Sequence, residues 1–137
     1  MTTHNKYTES RKVMERYEEK RKYPRIIVEC SGRLLFTEKK DAEVVIYDIC
    51  PGGIQVRCDR DTAQLLKHEK DKAAYDFGLT FVLPLTGKKV EIVVRCRLVY
   101  IVSMDNGIFA SGMQFTSMDN QSRKLLKRFI ESSMEPL

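Results

Sequence analysis

Hydrophobic and polar residues alternate along most of the chain from residue 26 onward. In residues 26–36, Ile26, Val28 and Cys30 occupy every second position, the spacing that places side chains on one face of a β-strand. Further segments rich in β-branched and aromatic residues follow at short intervals. The predicted strands are residues 26–36, 43–49, 54–58, 75–83, 89–102 and 108–115. About six strands with tight turns indicate an antiparallel barrel or sandwich.

The segments between these strands are polar or rich in turn-forming residues. Residues 51–53, Pro-Gly-Gly, follow the second strand, and residues 84–87 close the fourth with a proline and a Thr-Gly turn. Residues 105–107, Asp-Asn-Gly, predict a hairpin before the sixth strand. Residues 59–72 are polar around an Ala-Gln-Leu-Leu core, which predicts one or two helical turns.

Residues 8–22 have a different character, without glycine or proline and rich in Glu, Lys and Arg. Val13, Met14 and Tyr17 make a narrow apolar stripe. This pattern predicts a short N-terminal helix that packs weakly on the body or on a partner. Pro24 ends the pattern, because the residue before a proline is pushed out of the helical region.

Residues 120–132 predict an amphipathic C-terminal helix. The apolar residues that recur there at helical spacing are Leu125, Leu126, Phe129 and Ile130. The basic residues between them form the solvated face. Such a helix would cover one opening or one face of the strands. We therefore divide the chain into residues 1–19, a tail with the short helix, and residues 20–137, a β-rich domain that ends in this helix.

Size and composition suit one globular domain. The chain has 137 residues, of which 42% are hydrophobic and 31% are charged, enough to build one core. No stretch approaches the ~18 consecutive apolar residues of a membrane span, and the first residues lack the apolar segment of a signal peptide. We therefore expect a cytoplasmic protein with no membrane span. The net charge of +5 favours an anionic partner.

The residues that usually carry catalysis or bind metals are few and scattered. The four cysteines form no C-x-x-C pair and neither histidine lies near a cysteine, so we expect reduced thiols and no metal site. No Ser-His-Asp, Cys-His or paired-carboxylate arrangement can be assembled convincingly. No glycine-rich loop precedes a helix to hold phosphates. We therefore predict that the protein is not an enzyme and has no cofactor.

Two short segments stand out together. Residues 20–25, Lys-Arg-Lys-Tyr-Pro-Arg, contain R-x-x-x-R at Arg21 and Arg25, just before the first strand. Residues 48–53, Asp-Ile-Cys-Pro-Gly-Gly, end the second strand. In order and spacing this pair resembles the signature of the PilZ family, R-x-x-x-R followed by D/N-x-S-x-x-G. Either half alone would be a weak signal, because R-x-x-x-R is common by chance in a chain this basic.

The resemblance covers roughly residues 20–132, including Gly-Met-Gln-Phe at residues 112–115 before the terminal helix. The family fold is a six-stranded antiparallel β-barrel with that C-terminal helix, so the resemblance implies a barrel. The family ligand is cyclic di-GMP (c-di-GMP), a bacterial second messenger. The resemblance therefore implies a c-di-GMP receptor that changes conformation when it binds its ligand and then regulates an unidentified protein effector.

The matching residues suit a guanine dinucleotide with two phosphates. Arg21 and Arg25 carry planar, charged forks that can bind a phosphate or the O6 and N7 edge of guanine, and can stack on a base. Asp48 can accept hydrogen bonds from guanine N1–H and N2–H₂, a donor pair that adenine lacks. Gly53 permits a positive φ or a close approach of the ligand to the backbone, and Gly52 belongs to the same turn.

Two further positions bear on affinity and stoichiometry. Cys50 stands where the family usually has serine, and the weaker hydrogen bond of a thiol should cost about 0.5–1.5 kcal/mol, roughly two- to tenfold in affinity. Lys20 precedes R-x-x-x-R, where an arginine in the family favours a stacked pair of ligands; lysine keeps the charge but cannot stack, and we expect the pair. The predicted ligand-binding residues are Lys20, Arg21, Arg25, Asp48, Cys50, Gly52 and Gly53.

Three alternatives remain open at the level of the sequence. The chain can be a PilZ-fold interaction module that has lost its ligand, which Cys50 favours. It can also be a small barrel that binds single-stranded nucleic acid, but the basic groove with exposed aromatic residues that such a polymer needs is not evident. We therefore expect no nucleic acid polymer as a partner. Finally, the Cys50 thiol can sense oxidation, although no resolving cysteine lies nearby in the sequence.

Overall fold

A computed structural model describes residues 25–36, 40–70 and 76–134 of the chain. Six antiparallel strands close into a ring, in the order β1-β2-β3-β6-β5-β4. The elements are β1 (Ile26–Leu35), β2 (Asp41–Cys50), β3 (Gly53–Cys58), α1 (Arg60–Lys70), β4 (Asp76–Leu85), β5 (Lys88–Ser103), β6 (Phe109–Met118) and α2 (Asn120–Met134). The predicted set of six antiparallel strands is therefore confirmed. The predicted N-terminal helix lies outside the described residues.

The inside of the ring is filled by the apolar residues that alternate along each strand. Side chains that are almost completely buried come from all six strands and from both helices, and examples are Leu34, Ile46, Val56, Leu66, Phe77, Ile92 and Leu126. Burying one such leucine or isoleucine stabilises the fold by about 1.5–3 kcal/mol. The alternation in the sequence thus decides which face of each strand points inward.

The C-terminal helix α2 packs on the ring as its apolar spacing predicts. Leu126, Phe129 and Ile130 are buried in the core. The helix begins after Asp119, whose carboxylate accepts a hydrogen bond from the backbone N–H of Ser122 at 2.6 Å. The Ser122 hydroxyl in turn accepts a hydrogen bond from the backbone N–H of β5 residue Val93 at 3.0 Å. The cap and this link to β5 fix the start of α2 against the strands.

Helix α1 is longer than the one or two turns predicted from the sequence. It has 11 residues, which is about three turns. Asp59 caps it by accepting a hydrogen bond from the backbone N–H of Thr62 at 2.8 Å, and this bond holds the pKa of Asp59 below its usual value. Ala63 and Leu66 are buried against the core. The Ala-Gln-Leu-Leu segment identified from the sequence supplies these two residues, but the predicted helix was short because the cap at Asp59 and the polar turns on either side of the segment were missed.

Strand β4 continues through Pro84, where the sequence predicted that it would end. Leu85 and Lys88 pair across a two-residue turn, Thr86-Gly87, in which both residues have a positive φ. The backbone of Pro84 consequently faces β1, but β1 pairs with β4 only as far as Phe81. No hydrogen bond is lost there, so the missing N–H of proline is tolerated.

The hairpin predicted at residues 105–107 is confirmed. It forms a single 3-10 turn between β5 and β6, and Asn106 has φ 61° and ψ 33°. Asparagine and glycine are the residues that adopt this left-handed conformation most readily. In the described ranges, neither α1 nor α2 is long and apolar enough to cross a membrane.

Candidate functional site

Asp48 lies on the outer face of the ring. A register shift in β2 between Ile46 and Asp48 brings Asp48 opposite Gln55 of β3. The neighbours of Gln55 in its strand, Ile54 and Val56, both belong to the core. Because successive residues of a strand point to opposite faces, Gln55 and Asp48 point outward. Both are nevertheless almost completely buried, so other groups cover this part of the outer face.

Arg25 is one of the groups that cover Asp48. It immediately precedes β1, and its Nη1 atom donates a hydrogen bond to Oδ2 of Asp48 at 2.9 Å. The exposed fraction of the side chain is 12% for Arg25 and 2% for Asp48. This ion pair joins the last residue of R-x-x-x-R to the first residue of the second motif. A hydrogen bond between two charged groups is among the strongest that side chains form, and the low exposure protects it from water.

The turn that follows Asp48 is held against β6. Cys50 pairs in register with Gly53 across the turn, and the backbone carbonyl of Gly52 accepts a hydrogen bond from the N–H of Phe115 at 3.0 Å. Cys50 is buried, but it lies outside the hydrophobic core cluster. Cys50 is two residues from Asp48 in β2, so both side chains lie on the outer face, where other groups bury them.

Gly53 is required by packing and not by its backbone angles. Its φ is outside the left-handed region, so the first of the two reasons predicted for this glycine is wrong. A Cβ atom at this position would overlap the backbone carbonyl oxygen of Met113 on β6. By contrast, a Cβ on the exposed Gly52 would have no neighbour within 4 Å among the residues that the structure describes. Gly53 is therefore needed for the packing of β3 on β6, whereas Gly52 is exposed to solvent.

A polar network beside Asp48 was missed by the sequence analysis. The side-chain amide of Gln55 donates to the hydroxyl of Tyr100 at 3.1 Å, and Arg57 Nε donates to Gln55 Oε1 at 2.8 Å. The guanidinium of Arg57 lies 4.0 Å from the centroid of the Tyr47 ring. The polar Gln55 between two core residues was a signal in the sequence, but its partner Tyr100 comes from β5 and could not be read from the local pattern.

Two of the predicted site residues, Lys20 and Arg21, lie outside the described residues. Arg25, Asp48, Cys50, Gly52 and Gly53 are all described, and they come together at one place on the outer face where β1, β2, β3 and β6 meet. Within the described ranges, no group of three or more His, Cys, Asp or Glu side chains could hold a metal ion.

Comparison with protein families bears directly on this site. The model of the PilZ domain family matches residues 19–132 of the chain. The chain belongs to the PilZ family. The match includes both sequence motifs and extends through most of α2, so the resemblance noted from the two motifs is confirmed for the domain as a whole. A search of curated protein sequences finds no match.

Solved structures with the same fold include several other PilZ proteins. The Bacillus subtilis inhibitor of motility, MotI/DgrA, is 14% identical with a TM-score of 0.65, and the match covers 84% of this chain and 50% of that one. The PilZ domain of Escherichia coli YcgR, solved with c-di-GMP, is 15% identical with a TM-score of 0.55, and the match covers 82% of this chain and 90% of that one. MrkH in the K. pneumonia MrkH–c-di-GMP complex is 15% identical with a TM-score of 0.64, and the match covers 82% of this chain and 51% of that one. This PilZ chain thus spans about half the length of MotI/DgrA.

Proposed function

We propose that this PilZ domain is a receptor for c-di-GMP and regulates a protein effector. The observation that carries the proposal is the contact between Arg25 and Asp48, at 2.9 Å on the outer face of the ring. The two residues are 23 positions apart, and each comes from one half of the family signature. Support also comes from YcgR and MrkH, which have the same fold and whose structures contain c-di-GMP.

The two charged groups have complementary roles towards a guanine dinucleotide. The guanidinium of Arg25 supplies a planar fork for a phosphate or for the O6 and N7 edge of guanine. The carboxylate of Asp48 accepts the N1–H and N2–H₂ donors that distinguish guanine from adenine. The ion pair orients the Asp48 carboxylate in the absence of ligand, because a hydrogen bond between two charged groups is strong and directional. Among the described residues, no side chain comes within 4 Å of the position that a Cβ of the exposed Gly52 would take, so its backbone can be approached by a ligand.

Arg21 and Lys20 would add two cations from the segment that precedes Arg25. Binding would draw this segment over the ligand, as the charges of R-x-x-x-R converge on the phosphates. The rearranged N-terminal segment and the ligand would together make a surface that differs from that of the free protein. We propose that the effector recognises this difference, so that the domain acts as a receptor and adaptor and not as an enzyme.

Isothermal titration of the purified protein with c-di-GMP is the direct test. The proposal predicts saturable binding, and c-di-AMP should bind much more weakly because it lacks the guanine donors that face Asp48. Absence of binding to c-di-GMP by a folded protein would contradict the proposal. The chain would then be better explained as a PilZ-fold interaction module, which the cysteine at position 50 favours.

Replacing Cys50 with serine should keep or improve the affinity for c-di-GMP. A hydroxyl forms stronger hydrogen bonds than a thiol, and one restored bond is worth roughly two- to tenfold. Titration of the C50S variant beside the wild type measures the change. Cys50→Ala is the matched control, since it removes the thiol without adding a hydroxyl. Equal affinity in all three proteins would mean that residue 50 makes no polar contact with the ligand.

A further inference from the structure

A row of four residues crosses the outer face next to the candidate site. Cys50 pairs in register with Gly53, Gly53 with Gln114, and Gln114 with Arg97. The row thus runs from β2 through β3 and β6 to β5. The flanking residues of Arg97, Cys96 and Leu98, are in the core, so the Arg97 side chain points outward. Arg97 therefore shares a face with the Asp48 turn, although 49 positions separate them in the sequence.

The side chain of Arg97 leans toward the turn. Its Nε atom donates a hydrogen bond to Oε1 of Gln114 at 3.1 Å, and Gln114 lies between Arg97 and Gly53. Within the described ranges this neutral amide is the only side chain bonded to Arg97, and no carboxylate lies within ion-pair distance of it. A cation in this position has unused donors on the side that faces solvent.

Arg95 provides a direct contrast on the same strand. It too points outward, but its fork is occupied by Asp76, with Nε–Oδ2 at 3.0 Å and Nη2–Oδ1 at 2.9 Å. Arg97 stands opposite the same Asp76 in the register of β4 and β5, yet the carboxylate is bonded to Arg95. The charge of Arg95 is thus neutralised by Asp76, whereas Arg97 remains available to bind an anion.

We infer that Arg97 is an additional ligand contact, which binds the phosphate of c-di-GMP farthest from Arg25. The inference rests on the function proposed above and names a residue outside both sequence motifs. The fork of an arginine binds two oxygens of one phosphate at once, and Gln114 holds the fork in the required orientation.

The spacing across the sheet is compatible with a ligand that has two phosphates. Gly53 and Arg97 are two strands apart, a distance of about 10 Å between backbones. The long side chain of Arg97 spans part of this distance over β6. A flat dinucleotide can then lie between the Arg25–Asp48 pair at one end and Arg97 at the other.

Titration of the wild-type chain, Arg97→Ala, Arg97→Lys and Arg33→Ala with c-di-GMP tests the inference. Arg97→Ala should weaken binding about tenfold, because one charge-assisted contact is lost at an exposed position. Arg97→Lys should lose less, since lysine still binds phosphate as a point charge. Arg33→Ala is the control, because Arg33 is an exposed arginine on β1 that pairs with Asp41 and Glu43, and its affinity should equal that of the wild type. Thermal unfolding without ligand should confirm that all four proteins are folded.

The outcomes separate this inference from the proposed function. If the wild type binds and Arg97→Ala binds equally well, the inference is wrong and the receptor function stands. If Arg97→Ala and Arg33→Ala weaken binding to the same extent, a general loss of positive charge explains both results, and the specific contact is again wrong. If the folded wild type does not bind c-di-GMP, the proposed function itself fails.

Discussion

Replacing Arg25 with alanine should weaken the binding of c-di-GMP by at least about a hundredfold. Two effects combine in this variant. The ligand loses the fork of Arg25, and the Asp48 carboxylate, with a 2% exposed side chain, loses its ion pair. Removing one partner of a buried pair costs about 3–5 kcal/mol, because the remaining charge is left in a poor environment. Titration with c-di-GMP measures the affinity, and urea unfolding of the free protein measures the stability that is lost with the ion pair.

Two further variants separate ligand contact from folding. Arg25→Lys keeps a positive charge beside Asp48 but lacks the planar fork, so it should fold normally and still bind weakly. Arg33→Ala is the control on the same strand, because Arg33 is exposed and pairs with Asp41 at 3.3 Å and Glu43 at 3.7 Å. Exposed pairs of this kind contribute little. Unchanged affinity in Arg25→Ala would rule out Arg25 as a ligand contact.

Replacing Gly53 with alanine should destabilise the free protein by about 3 kcal/mol or more. The added Cβ would overlap the backbone carbonyl oxygen of Met113, and a backbone atom inside a paired strand cannot rotate away. β3 and β6 would have to separate at the point where the turn is held. Such a loss corresponds to an unfolding temperature roughly 10 °C lower for a domain of this size.

Gly52→Ala is the matched control for this experiment, since the two glycines are adjacent in one turn. A Cβ at Gly52 would have no neighbour within 4 Å in the described part of the chain, and the φ of Gly52 is not in the left-handed region. Its unfolding temperature should therefore stay close to that of the wild type. Equal stability of the two alanine variants would show that the close approach of β3 to β6 does not require glycine. Ligand affinity of folded Gly52→Ala then reports whether c-di-GMP approaches the exposed backbone.

Much of the fold could be predicted because its determinants are local. Alternation along residues 26–36 and the helical spacing of Leu126, Phe129 and Ile130 each report one face of one element. The end of β4 could not be predicted in the same way. Whether Pro84 is tolerated depends on how far β1 pairs along β4, and this is a property of the assembled ring.

In the candidate site, too, some residues could be identified from the local sequence, whereas the positions of others depend on how the strands pair. The charged residues of the two motifs could be found from their types and spacing, and Arg25 does contact Asp48. Gln55 and Arg97 could not be placed, because their positions depend on the register of β3, β5 and β6 and on the shift within β2. An outward-pointing glutamine in a strand is ordinarily solvated. Here the Tyr100 and Arg57 side chains bond it and help to bury it.

The closure of the six strands also affects how the protein behaves in a crowded solution. The pairing of β1 with β4 closes the ring, so each described strand has a neighbour on both sides over at least part of its length. The exposed Val45 on the outer face, for example, is paired on both sides, with Ser31 of β1 and Arg57 of β3. Aggregation by strand addition needs an open edge as a template. The seam of four residue pairs between β1 and β4 is therefore where resistance to self-association depends on the fewest hydrogen bonds.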